Sequence, residues 1–465
     1  MLHHARPFVA KGRPAPSGAA AGLLSLGVLL IALLLQTAPL RAEVLLRDPD
    51  IEHSLNALAR PVLTAAGLSP SQIRILIIKD SSLNAFVIDG RAIFIHSGLV
   101  LKLKSAAQLQ AVIAHEAGHI ANGHISRRLS NVRSARSAAG LGLALSLLAG
   151  AAGGSKAGAG VAIGATSSAR RVLLAHTRGE ESAADQSSAR YMARAGIDPK
   201  AMVEVLEMFR GQEALSVGHQ DPYMLSHPLT RDRLRAAMAY AASYRPTGKP
   251  DPKAAYWFAR ARGKLGAFLR GSTWALREAK KAPSEDIRLM MTAIAYHRIP
   301  KPQKAIRTIC QLAAKRPRDA YVYDLMGQIL LESRQTGPAA QAYRRAVALA
   351  PKEPLIAAGY GRALLAQNTG ASTRKALSVL ESARAHDPRD ARLLRDLALA
   401  YAKTGHNGMA SLATAERFAL QGNLTDAGLH AKRAADLLPR GSVGWNRAQD
   451  VLRAAEQFAK RRKRT

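Results

Sequence analysis

The 465-residue sequence has a single cysteine, Cys310, so no disulfide can form within the chain and no zinc knuckle can be built on cysteines. Aromatic residues make up only 5%, and acids are scarce, 33 Asp and Glu against 67 Lys and Arg, for a net charge of +34. Such a surface attracts polyanions. The basic residues are nevertheless scattered, with few aromatics among them and no recognition motif, so nucleic-acid binding is not expected; an anionic membrane surface or lipopolysaccharide fits the charge at least as well. Long apolar runs are also missing. The uncharged stretch from Pro14 to Leu40 has a greasy centre of 13 residues, Leu23 to Leu35, short of the roughly 20 that a bilayer span needs. With Arg6, Lys11 and Arg13 ahead of it, this stretch reads as an export signal cleaved after Ala42, an uncleaved anchor being the alternative.

What is present is 48% hydrophobic sequence, enough for two or three cored domains, and one conspicuous cluster, "AVIAHEAGHIANGH" at 111–124. Ser105 followed by Gln108 predicts a capping box, and Leu109, Val112, Ile113, Ile120 and Ile125 keep helical spacing, so the segment from 105 to 128 is expected to be one helix. His115 and His119, four apart, project from one face and could hold an ion between them. Glu116, one step round, can reach a water at that ion as a general base. A catalytic zinc also needs a third ligand. His124 does not supply it: glycine comes one residue late and histidine one residue early for the H-E-x-x-H-x-x-G-x-x-H turn, so His124 reads as a packing or surface residue. A second helical stretch, "RGEESAADQSSARYMARAGIDP", stops at Gly196 and carries Glu181 and Asp185 on one face. One of these carboxylates can ligate while the other accepts the free N–H of a ligand histidine.

With "HEAGH" (115–119), "ESAAD" (181–185) and "HPLTRDR" (227–233) in this order, the region from about 45 to 240 resembles the HtpX- and BepA-type zinc metalloproteases, gluzincins related to the CAAX-processing prenyl protease. The resemblance implies one zinc ion per chain, with His115, His119 and Glu181 as ligands, Glu116 as base and Asp185 as the carboxylate behind them; Glu180 is out of register for the family's E-x-x-A-D spacing. It leaves two roles for His227 and Arg233. They either donate to the oxyanion of the tetrahedral intermediate, or His227 fills the open zinc position and keeps the enzyme latent. "LNAFVIDGRAIFIHSGLV" (83–100) is similar to the family's strand and turn ahead of the zinc helix, where an exposed edge receives extended substrate.

Between the two metal helices, "AAGLGLALSLLAGAAGGSKAGAGVAIGA" (138–165) reads as a glycine-rich lid, with a membrane-dipping segment as the sharper alternative. Past the linker at 245–253, prolines recur 34 apart at 283, 317 and 351, the tetratricopeptide period. The unit from Ala320 places Tyr323, Gly327, Leu330, Ala339, Tyr343, Ala346 and Pro351 at the pattern's positions. In the next unit Ala376, Leu380, Ala383 and Pro388 are displaced by three, which predicts an insertion in the "QNTGAST" turn, and Ala427, Ala431, Ala434 and Pro439 mark a last unit.

The expected fold is therefore mainly α: a signal at 1–42, an α+β zincin-type metalloprotease domain at 43–244, a tetratricopeptide α-solenoid at 254–440, and a C-terminal helix with a basic tail at 441–465. The combination resembles periplasmic proteases of outer-membrane quality control. That implies unfolded or misassembled outer-membrane proteins as substrates, contact with the barrel-assembly machinery, and peripheral membrane contact through 138–165. A non-enzymatic chaperone or scaffold acting through the repeats is the alternative.

Overall fold

The structure, a computed structural model, describes residues 45–127, 177–215 and 219–462. The export signal and the glycine-rich segment 138–165 lie outside the described residues. Among those described, no helix is long and apolar enough to cross a membrane.

A short strand β1 (Leu45–Leu46) leads into α1 (Pro49–Ala65), whose start is fixed by Asp48: its side chain accepts from the Asp50 and Ile51 amides, with Pro49 in the first turn. Strands β2 (Arg74–Ile78), β3 (Ala85–Val87) and β4 (Ala92–His96) complete a sheet in the order β1-β2-β4-β3. β2 runs parallel to β4, from Arg74 opposite Ala92 to Ile78 opposite His96, while β3 is antiparallel to β4 and forms the edge. Alternation gives the sheet two apolar faces. Ile75, Ile77, Ile93 and Ile95 join the main core, and Phe86 stacks on Phe94 on the other side, ring centres 5.4 Å apart.

Helices α2 (Ser97–Lys102) and α3 (Ala106–Ala121) follow. Ser105 caps α3 through the Gln108 amide, but the Gln108 side chain bonds the Lys104 amide, one residue before the one a capping box would use. The single helix expected over 105–128 also breaks: α3 stops at Ala121, Gly123 turns left-handed at φ 67°, and helical geometry resumes at His124. The second helix, α4 (Arg178–Arg194), starts at a capping box between Thr177 and Glu180. Glu180, out of register for the site, is the residue that caps the helix. α5 (Lys200–Glu207), α6 (Pro222–Ser226) and α7 (Arg231–Ser243) close this part of the molecule.

Helix α8 (Ala254–Leu269), expected to open the solenoid, also belongs to the core before it, where Phe258, Ala261 and Leu265 pack among residues of α1 and α3. Ion pairs reinforce the contact. Arg260 lies 2.6 Å from Asp50 and 2.6 Å from Asp319, the fully buried Lys264 reaches Asp48 at 2.9 Å, and further on Asp387 meets Arg47 at 2.6 Å and Arg74 at 3.2 Å.

Eleven more helices follow in the remainder of the described residues: α9 (Ser272–Ala279), α10 (Glu285–Arg298), α11 (Pro302–Lys315), α12 (Ala320–Glu332), α13 (Thr336–Leu349), α14 (Pro354–Ala366), α15 (Gly370–His386), α16 (Ala391–Lys403), α17 (Asn407–Leu420), α18 (Leu424–Leu437) and α19 (Val443–Arg462). The small residues of the repeat pattern are there to let side chains in. A Cβ on Gly327 would stand 2.6 Å from Cδ2 of the Tyr343 ring, and one on Gly359 would strike the same ring's other edge. Ala339, Ala346, Ala376, Ala427, Ala431 and Ala434 are buried without remainder. The three extra residues do not lengthen the turn: three residues connect α12 to α13 and three connect α14 to α15, whereas α15 has 17 residues against 14 in α13. The last helix runs into the basic tail as far as Arg462.

Candidate metal centre

The site forms where α3 and α4 cross. A Cβ on Gly118 would stand 3.0 Å from the Ala184 carbonyl oxygen and 3.2 Å from its Cα, so the glycine of "HEAGH" meets the alanine of "ESAAD" backbone to backbone. That approach delivers Glu181 to the histidines. His115 Nε2 lies 3.1 Å from His119 Nε2 and 3.4 Å from Glu181 Oε2, and His119 Nε2 is 3.3 Å from Glu181 Oε1.

A fourth donor joins them. At the end of α6, His227 places Nδ1 2.9 Å from Glu181 Oε1 and 3.3 Å from His115 Nε2. The donor atoms of His115, His119, Glu181 and His227, all buried, lie within 4.8 Å of one another. Ligands at 2.0–2.1 Å around a tetrahedral zinc stand about 3.4 Å apart, so the observed 2.9–3.4 Å spacings fit such an ion. The other nitrogen of His227, Nε2, is 3.2 Å from the Ala85 carbonyl, which can only accept. With its hydrogen on Nε2 for that carbonyl, the ring would turn its Nδ1 lone pair to an ion at the donor set. The ring also packs on Tyr223, 4.7 Å between centres, which in turn stacks on Phe209.

Charge around the site is arranged for a cation. Burial would raise Glu181, but His227 and Arg233, with the hydrogen bonds from His115 and His119, hold it well below the usual carboxylate range. Burial opposes a charge on His115, yet Asp185 and Glu181 outweigh it and push the ring up to about 10. Burial keeps His119 well below its ordinary value. Glu116 is fully buried and burial raises it; among the described residues neither of its oxygens makes a hydrogen bond, although Oε1 is 3.4 Å from His227 Nε2. Two bare carboxylate oxygens in a dry site are costly unless something else occupies their reach, as an ion and its water would.

Asp185 stands behind the donor set. It accepts from His115 Nδ1 at 2.9 Å and takes a two-pronged contact from Arg233, Nε at 2.7 Å and Nη2 at 3.0 Å. Arg233 Nη1 is 2.6 Å from Glu181 Oε2 and donates to the carbonyls of His227 and Pro228. Thus all seven residues singled out from sequence come together, and Arg233 spends its guanidinium on the two carboxylates and the His227 loop. No motif points to the Ala85 carbonyl or the Tyr223 ring, because both arrive through tertiary contacts. His124 is the other surprise: it is buried, with Nδ1 2.9 Å from His119 Nδ1.

Histidines and a carboxylate held by a helix pair under a small sheet, with a buried glutamate beside them, define a metallopeptidase. Residues 46–241 match peptidase family M48 and residues 304–415 match the cytochrome c-type biogenesis protein H TPR domain, so the chain carries an M48 peptidase domain followed by a tetratricopeptide domain. It is 26% identical over 393 residues to the beta-barrel assembly-enhancing protease of Yersinia pestis, covering 82% of this chain and 79% of that protein. To the protein of the same name from Escherichia coli (strain K12) it is 25% identical over 392 residues, covering 82% and 78%. Among solved structures, the crystal structure of MamA aligns with 34% of this chain and 88% of its own length, at 20% identity and a TM-score of 0.28.

Proposed function

We propose that the chain is an exported zinc endopeptidase that cleaves unfolded or misassembled outer-membrane proteins in the periplasm and rests in a closed state set by His227. The observation that carries this reading is the convergence of His115, His119, Glu181 and His227 on one point beside Glu116. The names of the relatives support the setting, and the repeat domain supplies a surface for substrates or for the barrel-assembly machinery.

His115, His119 and Glu181 would hold the zinc ion, which when bound polarises the scissile carbonyl and acidifies water. Glu116, with its affinity for protons raised by burial, takes the proton from the attacking water and hands it to the leaving amine. Asp185 orients His115 through Nδ1, and Arg233 holds Asp185 and Glu181 in register. Substrate enters as a strand. His96 donates to the Asn84 carbonyl, so by antiparallel alternation the carbonyl of Ala85 faces the open edge of β3. In the closed state His227 occupies that carbonyl, and an annealing substrate strand competes with it there.

Cleavage of an unfolded protein by the zinc-loaded parent and by Glu116→Gln, side by side, tests the reading. Parent activity lost in the variant supports it; activity that survives the substitution refutes the site assignment and turns attention to the scaffold alternative. His227→Ala raises the rate if the histidine is a plug and lowers it if the histidine stabilises the oxyanion.

A further inference from the structure

His119 must present its Nε2 lone pair to the donor set, 3.3 Å from Glu181 and 3.1 Å from His115 Nε2. A neutral imidazole has one hydrogen, so in that state Nδ1 carries it and needs an acceptor in a buried site where an unmet donor costs about 1–3 kcal/mol. His115 solves the same problem with the Asp185 carboxylate. At the outer nitrogen of His119 stands His124 Nδ1, 2.9 Å away, on a residue only 2% exposed. The two rings meet edge to face, centres 5.0 Å apart.

We infer that His124 is the positioning residue for His119: its Nδ1 lone pair accepts the His119 hydrogen and fixes the ligand's tautomer and ring orientation. This rests on the zinc reading above. The local backbone explains how a residue five positions on can do this. On a continued helix, positions 119 and 124 would lie well apart around the axis. The left-handed Gly123, φ 67°, ends α3 and restarts the chain so that His124 folds back on the helix it has just left. The glycine and histidine that miss the spacing for a third zinc ligand are thereby in register for the nitrogen behind the second one. His124 then carries its own hydrogen on Nε2, and no proton crosses between the rings.

The test uses the full chain stripped of metal, with zinc affinity measured by competition against a chromophoric chelator. His124→Ala is expected to bind zinc about 10- to 100-fold more weakly, the usual loss when a partner behind a ligand is removed. His124→Asn, whose amide oxygen stands near the position of the lost Nδ1, recovers most of that loss. Thermal unfolding of the metal-free proteins separates orientation from folding, since both variants are compared at equal apo stability. His124→Ala binding zinc as tightly as the parent overturns the inference, as does His124→Asn binding as weakly as His124→Ala when both unfold with the parent. A parent that takes up no zinc refutes the proposed function itself, an outcome that the parent measurement shows before any variant is compared.

Discussion

The crossing of α3 and α4 at Gly118 yields the sharpest prediction. Gly118→Ala puts a methyl 3.0 Å from the Ala184 carbonyl oxygen and 3.2 Å from its Cα. Both are backbone atoms, so no change of rotamer relieves the contact and the helices must part by a few tenths of an ångström. Overpacking of this kind costs roughly 1–3 kcal/mol. Glu181 lies one turn before Ala184 on the helix that must move, and metal–ligand distances tolerate only about 0.2 Å. If the zinc-bound state bears the strain, affinity falls about fivefold to 150-fold, at tenfold per 1.4 kcal/mol. Chelator competition measures that loss, and thermal unfolding with and without zinc shows the variant gaining less from the metal than the parent does. A variant with parental zinc affinity and an unchanged melting temperature would refute the claim that this helix contact places the glutamate.

Asp185→Ala removes the acceptor of His115 and the partner of Arg233 together, and zinc affinity should drop by about 10- to 100-fold in the same competition assay. Asp387→Ala removes one of the two carboxylates that Arg47 and Arg74 share and leaves both on Glu52; because that partner remains and Arg74 is 39% exposed, urea unfolding should show a loss below the ~3–5 kcal/mol for a broken buried pair. Burial would raise Asp50 and Asp387, but Arg260 with Lys264, and Arg47 with Arg74, hold them below the ordinary carboxylate value of 3.8. Their pairing is thus fully stabilising above that value and is lost as pH falls through the lower folded values, so the melting temperature should drop steeply below pH ~4 and less steeply in Asp387→Asn. Gly359→Ala drives a methyl into the Tyr343 ring and should cost ~1–3 kcal/mol in the repeats while zinc affinity stays at the parental level.

The cluster of candidate ligands was legible because each helix carries its chemistry at a spacing of four, and because the few acids of a basic chain stand out in "ESAAD". The tetratricopeptide period was legible for a related reason: Gly327, Tyr343 and Ala346 are needed at fixed offsets for neighbouring helices to touch. What escaped the sequence depends on how the chain turns and on what arrives from afar. His124 reads as surplus until Gly123 adopts a positive φ. The sequence places Arg233 near the site without showing that it pairs with Asp185 and Glu181. The three added residues near position 369 look like a longer turn, but a Thr369–Ser372 capping box starts α15 early and converts them to helix. Helix α8 follows a Pro/Gly linker and so reads as the beginning of something new, although its apolar face completes what came before.

That helix has a practical side. A cut through residues 245–253 looks clean on paper, yet it would strip the peptidase half of Phe258, Ala261 and Leu265 and leave Asp48 and Asp50 without Arg260 and Lys264. Neither fragment would be a finished product. Anyone grafting a different repeat array onto this peptidase has to carry α8 along as part of the peptidase and keep an acid at the position of Asp319 to meet Arg260. The unit of exchange begins after Leu269, later than the linker suggests.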